Sequence, residues 1–195
     1  MTLELRCGCG QMAGEVDPAQ VYSRATCHCR DCQAFAAFLG TPGITDAHGG
    51  TDVLAMAPGG IRITSGMGQV ACMSLGPRGL LRWYAACCRS PIANTGRAPR
   101  PYYAGLVTTL VATPAAALDA AVGPRGRVVL YAKAARGEVR PTPVALALGG
   151  AAIGWNLLLA TLRGRRDSPF FDAAGAPVRA PAVLSLAERR ALDGR

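Results

Sequence analysis

Histidine is nearly absent: His28 and His48 are the only two, too few to build a metal centre of neutral imidazoles. Lysine is scarcer still, with Lys133 alone, so the formal net charge of +9 is carried almost entirely by arginine. Those arginines are scattered and aromatic residues make up only 6% of the chain, which leaves little to stack on bases and argues against a nucleic-acid partner. A basic balance still permits attraction to acidic small molecules such as glutathione. The opening Met1-Thr2-Leu3-Glu4-Leu5-Arg6 lacks the apolar run of a secretory signal, so we expect a reducing cytoplasm. Eight cysteines in such a compartment point to metal binding rather than to disulfides.

The richest stretch is Cys27-His28-Cys29-Arg30-Asp31-Cys32. Three thiolates this close repel one another unless a cation draws them together, and zinc takes thiolates in tetrahedral geometry. Three protein ligands leave one position for water or substrate; a fourth cysteine from elsewhere would instead close the site and make it structural. His28 has candidate ligands on both sides, so its ring should point away from the metal, toward either substrate or simple packing. His48, in the glycine- and threonine-rich stretch 41–50, reads as a solvated loop residue.

Leu3 and Leu5 alternate with Glu4 and lead into Cys7-Gly8-Cys9-Gly10, a strand followed by a metal knuckle. Val21 to Thr26 reads as a strand delivering Cys27, and Gln33 to Leu39 as a short helix closed by Gly40, with Phe35, Phe38 and Leu39 on its apolar face. Four short strands, Val53 to Met56, Ile61 to Thr64, Val70 to Leu75 and Leu80 to Ala85, alternate with glycine-rich turns and predict an antiparallel meander; Cys72 inside one of them reads as a core residue. The last strand brings Cys87 and Cys88 back toward the first knuckle. Beyond it, Thr113 and Pro114 predict the start of a helix over Ala115 to Val122, Arg127 to Tyr131 predicts a strand, and Ser185 with Glu188 forms a capping box for a terminal helix running toward Leu192. Val144 to Leu162 is uncharged and ends at Arg163, Arg165 and Arg166; as a helix it would cover ~28 Å, the thickness of a bilayer core. Asn156, Gly149, Gly150 and Gly154 dilute it, so we expect a buried helix or a homodimer contact in preference to a membrane partner.

The order Cys-x-Cys, Cys-His-Cys-x-x-Cys, then a cysteine-bearing strand end followed by Ser-Pro-Ile resembles the glutathione-dependent formaldehyde-activating enzyme and centromere protein V superfamily, over about the first hundred residues. The resemblance implies a mainly β architecture, a β-tent of small antiparallel sheets around zinc, for residues 1–110, and the helices and strand read beyond it make 111–195 a C-terminal extension of mixed helix and strand packed on it. It implies a structural zinc on Cys7, Cys9 and a late cysteine pair, and a catalytic zinc on Cys27, Cys29 and Cys32. The late pair departs from the family pattern. Ala85 stands where its first ligand belongs, Cys88 keeps register, Cys87 is extra, and Arg89 replaces a frequent glycine. Adjacent strand residues face opposite sides, so Cys87 and Cys88 share one ion only if the strand bulges or turns. The structural site is therefore four cysteines on distorted backbone, or three, or lost, and the chain carries two zincs or one.

Two functions follow. In the first, a small thiol such as glutathione occupies the open position at Cys27, Cys29 and Cys32 and attacks an aldehyde carbon, the carbon–sulfur lyase chemistry that the resemblance implies; Arg30 and Arg24, nearest in sequence, would hold substrate carboxylates. In the second, the chain is a non-catalytic zinc-braced module binding protein or nucleic acid, with Cys87 closing the central site.

Overall fold

The computed structural model describes residues 2–193, which form two β-sheets and four α-helices. Alternation builds the small sheet: in β1 (Leu3–Arg6) Leu3 and Leu5 are buried while Glu4 and Arg6 face solvent. β1 pairs antiparallel with β2 (Ala13–Val16), which pairs with β5 (Ile61–Ser65). The large sheet comprises β3 (Val21–Cys27), β4 (Thr51–Met56), β6 (Val70–Ser74), β7 (Leu81–Ala85), β8 (Ser90–Thr95), β9 (Ala104–Val107), β10 (Val129–Leu130) and β11 (Ala182–Val183). Its order is β10-β3-β4-β9-β8-β7-β6-β11, antiparallel throughout except for the two edge pairs, β10 with β3 and β11 with β6.

The expected four-strand meander does not form as one unit. β5 leaves for the small sheet, β4 lies between β3 and β9, and only β6 and β7 pair as neighbours. Burial explains the split: every residue of β4 is buried, so it needs partners on both edges, which β3 and β9 supply; β5 buries only Ile61 and serves as an edge.

Between the sheets Trp83 stacks on Phe170 with ring centroids 5.0 Å apart and meets Phe171 edge-on at 6.2 Å, while its indole N–H donates to Thr95 Oγ1 at 2.9 Å. The chain beyond residue 110 thus supplies core side chains as well as both edge strands of the large sheet.

Helix α1 (Arg30–Leu39) begins three residues earlier than the sequence pattern suggests and ends at Gly40, whose φ of +66° is the left-handed cap that glycine adopts without strain. Phe35 and Leu39 pack on Met73 and Leu75 near β6, and Phe38 meets Tyr84 edge-on. Helix α2 (Ala115–Val122) forms as expected, although Pro114 rather than Thr113 occupies its cap. Helix α4 (Leu186–Asp193) carries the expected capping box, with Glu188 accepting from the Ser185 N–H at 2.8 Å and Ser185 Oγ accepting from the Glu188 N–H at 3.3 Å.

Helix α3 (Pro143–Leu162) departs from one of its two expected settings, the buried helix. It is a helix of the expected extent, but Ala160 alone is buried. It lies along the β3 edge through small residues: Ala145 packs near Ala25 and Cys27, and a methyl on Gly149 would meet Ser23 Oγ at 2.9 Å. A sheet edge this narrow covers one side of a helix, and Leu146, Leu148, Leu158 and Leu162 are left exposed.

Candidate metal centres

The first centre is built where β1 ends and the β7–β8 hairpin turns. Cys7 is buried, its sulfur accepts the Met12 N–H at 3.3 Å, and its carbonyl accepts the Gly10 N–H at 2.9 Å, which fixes the knuckle. Cys87 and Cys88 do not lie on a strand. β7 ends at Ala85, β8 starts at Ser90, and the intervening turn aims both sulfurs to one side. The four sulfurs of Cys7, Cys9, Cys87 and Cys88 lie within 4.8 Å of one another. Cys7 to Cys9 is 3.7 Å, Cys9 to Cys87 is 3.3 Å, and Cys87 lies 3.8 Å from both Cys7 and Cys88. All are well beyond the ~2.05 Å of a disulfide.

Ser90 braces this centre, its hydroxyl accepting the Gly8 N–H at 2.9 Å and lying 3.1 Å from Cys88 Sγ. Burial raises the Cys88 thiol, but hydrogen bonds from Ser90 and Cys9 outweigh it and bring the value down to about 6. Arg89, with φ of 58°, occupies the left-handed region that favours glycine. It is held there by its Nε–H donating to Leu39 O at 2.8 Å and by its guanidinium lying 4.9 Å from the Phe38 ring centroid. The extra arginine therefore ties the hairpin to the C-terminal end of α1.

The second centre joins the end of β3 to the start of α1. Cys27 closes β3; Cys29 caps α1, its sulfur accepting the Cys32 N–H at 3.4 Å; Cys32 sits in the first turn, where a hydrogen bond with Cys27 lowers its thiol but the contact with Cys29 and burial outweigh it and push the value up to about 11. Their sulfurs lie within 4.8 Å of one another, and among the described residues no fourth cysteine, histidine or carboxylate joins them. Cys87 belongs to the other centre, so it does not close this one. Hydrogen bonds from Cys27 and Cys32, reinforced by the Cys32 N–H and the charge of Arg82, overcome burial and hold the Cys29 thiol well below its ordinary value. Cys27 is pushed up by its hydrogen bonds with Cys29 and Cys32 and by burial, so the three thiols titrate as a unit in which negative charge is favoured at Cys29.

The side chains facing the trio come from distant strands. Arg82, on β7, is buried; it donates to Asn94 Oδ1 at 3.0 Å, lies 3.6 Å from Asp31 Oδ2 and rests 5.3 Å from the Phe35 ring centroid. Tyr103 precedes β9, and burial, then the charges of Cys27 and Cys32, push its hydroxyl up to about 12. None of Arg82, Asn94 or Tyr103 is singled out by sequence spacing, since strand pairing alone brings residues 82, 94 and 103 together.

Other expected residues fall elsewhere. Arg24 does not face substrate: it is buried and bound to Asp52 at 2.7 Å and to Asp119. A buried guanidinium is kept charged by such partners and is not free for a ligand. Arg30 is exposed beside Tyr131 and Lys133. His28 is buried with its Nδ1 3.2 Å from His48 O, so it braces the 46–50 loop instead of joining the three sulfurs. His48 is exposed, and Cys72 is buried in the main core and joins neither group of sulfurs.

A family model described as a family of unknown function, DUF6151, matches residues 1–178. No curated protein matches the chain. A crystal structure of a Rhodobacter sphaeroides protein is similar over 63% of this chain and 99% of its own, with 17% sequence identity and a TM-score of 0.43.

Proposed function

The chain belongs to the DUF6151 family, and from its two thiol centres we propose that it performs zinc-dependent thiol chemistry at Cys27, Cys29 and Cys32. The observation that carries this reading is the contrast in ligand number, four sulfurs in one centre and three in the other. For tetrahedral thiolates at ~2.3 Å from zinc the sulfur–sulfur edge is ~3.8 Å. Four of the six separations among Cys7, Cys9, Cys87 and Cys88 are 3.3 to 3.8 Å and all are within 4.8 Å, which supports a closed structural zinc of that kind. The same pattern supports the resemblance to the glutathione-dependent formaldehyde-activating superfamily, with the two sheets as a β-tent.

Zinc on the trio, when bound, supplies a soft positive charge that lowers the pKa of a thiol such as glutathione and orients its sulfur. The chain's own residues do the rest. Cys29 enters as the ready thiolate. Arg82, fixed by Asn94, holds negative charge beside the trio without titrating away. Tyr103 keeps its proton at neutral pH and is the donor for an aldehyde oxygen as the sulfur–carbon bond forms and the carbonyl electron pair moves onto that oxygen, and the proton released by the incoming thiol returns to Tyr103. The product is a hydroxyalkyl thioether, and no redox partner is required.

The test is the rate at which zinc-loaded protein exchanges formaldehyde onto glutathione, followed by ¹³C NMR. We expect acceleration that Cys29→Ser abolishes and Cys72→Ser leaves intact. Metal-replete protein that gives no acceleration would overturn the enzymatic reading in favour of a zinc-braced binding module.

A further inference from the structure

Helix α3 carries no charged residue along its 20 positions, and a helix apolar on all sides is ordinarily buried. Here it is not. Val144 is 73% exposed, Leu148 66%, Trp155 62% and Leu162 75%, with Leu146 and Leu158 exposed beside them. Val144, Leu148, Ala151, Trp155, Leu158 and Leu162 recur at steps of four and three, so they form one ridge, ~27 Å long at the helical rise. The ridge is flanked by Leu146, Ala147, Gly150 and Gly154 and not by charges, so the bare surface is broader than a coiled-coil seam.

Charge decides what fits it. The clefts beside α3 are lined by Arg127 next to Val144 and Leu148, by Arg30 and Lys133 next to Leu146, and by Arg163 next to Leu159, with Arg165 there already paired to Asp167 at 3.1 Å. No acidic side chain lines those three clefts. A second copy docked on the ridge would bring two such cationic borders together, whereas an anionic lipid surface complements them. Tyr131, 67% exposed, and Trp155 add the amphipathic aromatic rings favoured at a membrane–water boundary.

The helix ends exclude a crossing. Before α3, Thr142 Oγ1 accepts the Val129 N–H of β10 at 2.8 Å. After it, Arg165 donates to Gln20 at 3.1 Å and Phe170 stacks on Trp83 in the core. A span would place these ends on opposite sides of a bilayer and strip the core of its aromatic pair. We infer that α3 is an in-plane docking surface for an anionic phospholipid bilayer, entering the headgroup boundary with its ridge down while the two thiol centres stay in the aqueous domain.

The molecule contains its own probe, because Trp155 and the fully buried Trp83 are the only tryptophans. Full-length protein should shift its tryptophan emission to the blue on phosphatidylcholine vesicles containing phosphatidylglycerol, and brominated lipid should quench it. Leu148→Gln with Leu158→Gln, both at exposed positions, should lower vesicle partitioning roughly tenfold or more with unchanged circular dichroism. Arg127→Gln with Arg163→Gln should weaken binding to anionic vesicles only. Equal binding to pure phosphatidylcholine, resistance of bound protein to alkaline carbonate, or a concentration-dependent blue shift from self-association without vesicle binding would each overturn the proposal.

Discussion

Replacing one thiol in each centre separates their roles, because the centres close chain loops of very different length. Cys7 meets Cys87 across 80 residues and Cys9 meets Cys87 across 78, whereas Cys27 and Cys32 are five positions apart. Loop-closure entropy scales as (3/2)RT ln n, so a metal clip over the long loop removes about 2.5 kcal/mol more disorder from the unfolded chain than one over the short loop. The substituted residue widens the difference. Serine at position 29 is itself a good helix cap, so Cys29→Ser keeps the start of α1, while Cys7→Ser loses a buried sulfur that receives the Met12 N–H. At about 2 to 4 °C per kcal/mol for a chain of this size, Cys7→Ser should lower Tm by roughly 5 to 10 °C more than Cys29→Ser. Scanning calorimetry of both variants with zinc present measures this. Equal losses, or a larger loss in Cys29→Ser, would refute the division into a structural and an open centre.

Arg82→Gln removes the charge that helps hold Cys29 as thiolate, so peptide-resolved alkylation of Cys29 in metal-stripped protein should slow at neutral pH, and Arg82→Lys should restore it. An alkylation rate at Cys29 indifferent to the charge at position 82 would contradict this. At the other end of the chain, the Ser185 N–H and hydroxyl hold the Glu188 carboxyl below its ordinary 4.5. A depressed folded value stabilises above the unfolded one and is lost as pH falls through the folded one. Amide exchange in α4 should therefore accelerate below about pH 4.5 relative to the pH-corrected intrinsic rate, and Glu188→Gln should flatten that dependence; an unchanged acid response in the variant would sink the assignment.

Local chemistry was readable and long-range pairing was not. Cys27, Cys29 and Cys32 declare themselves because six residues hold all three sulfurs, and the Ser185 and Glu188 box declares itself for the same reason. Cys87 and Cys88 stayed ambiguous because two adjacent thiols converge only if the chain turns, and the turn before β8 is set by the pairing of β7 with β8. Arg82, Asn94 and Tyr103 carried no signal, since their meeting depends on strand order. The meander failed at β5 because turn residues mark where strands end and not which sheet receives them. For α3, uniform apolarity predicted concealment, but the fold covers it chiefly along β3 and buries only Ala160.

The central claim, that one thiol centre is closed and the other open, is tested most directly by the visible and near-ultraviolet spectrum of cobalt-substituted protein titrated with glutathione. The account predicts tetrahedral thiolate bands from two cobalt ions per chain, of which about half the intensity changes as glutathione adds a fourth sulfur beside Cys27, Cys29 and Cys32, with no change in Cys29→Ser. A spectrum that glutathione leaves untouched, in protein that holds both ions, would contradict it.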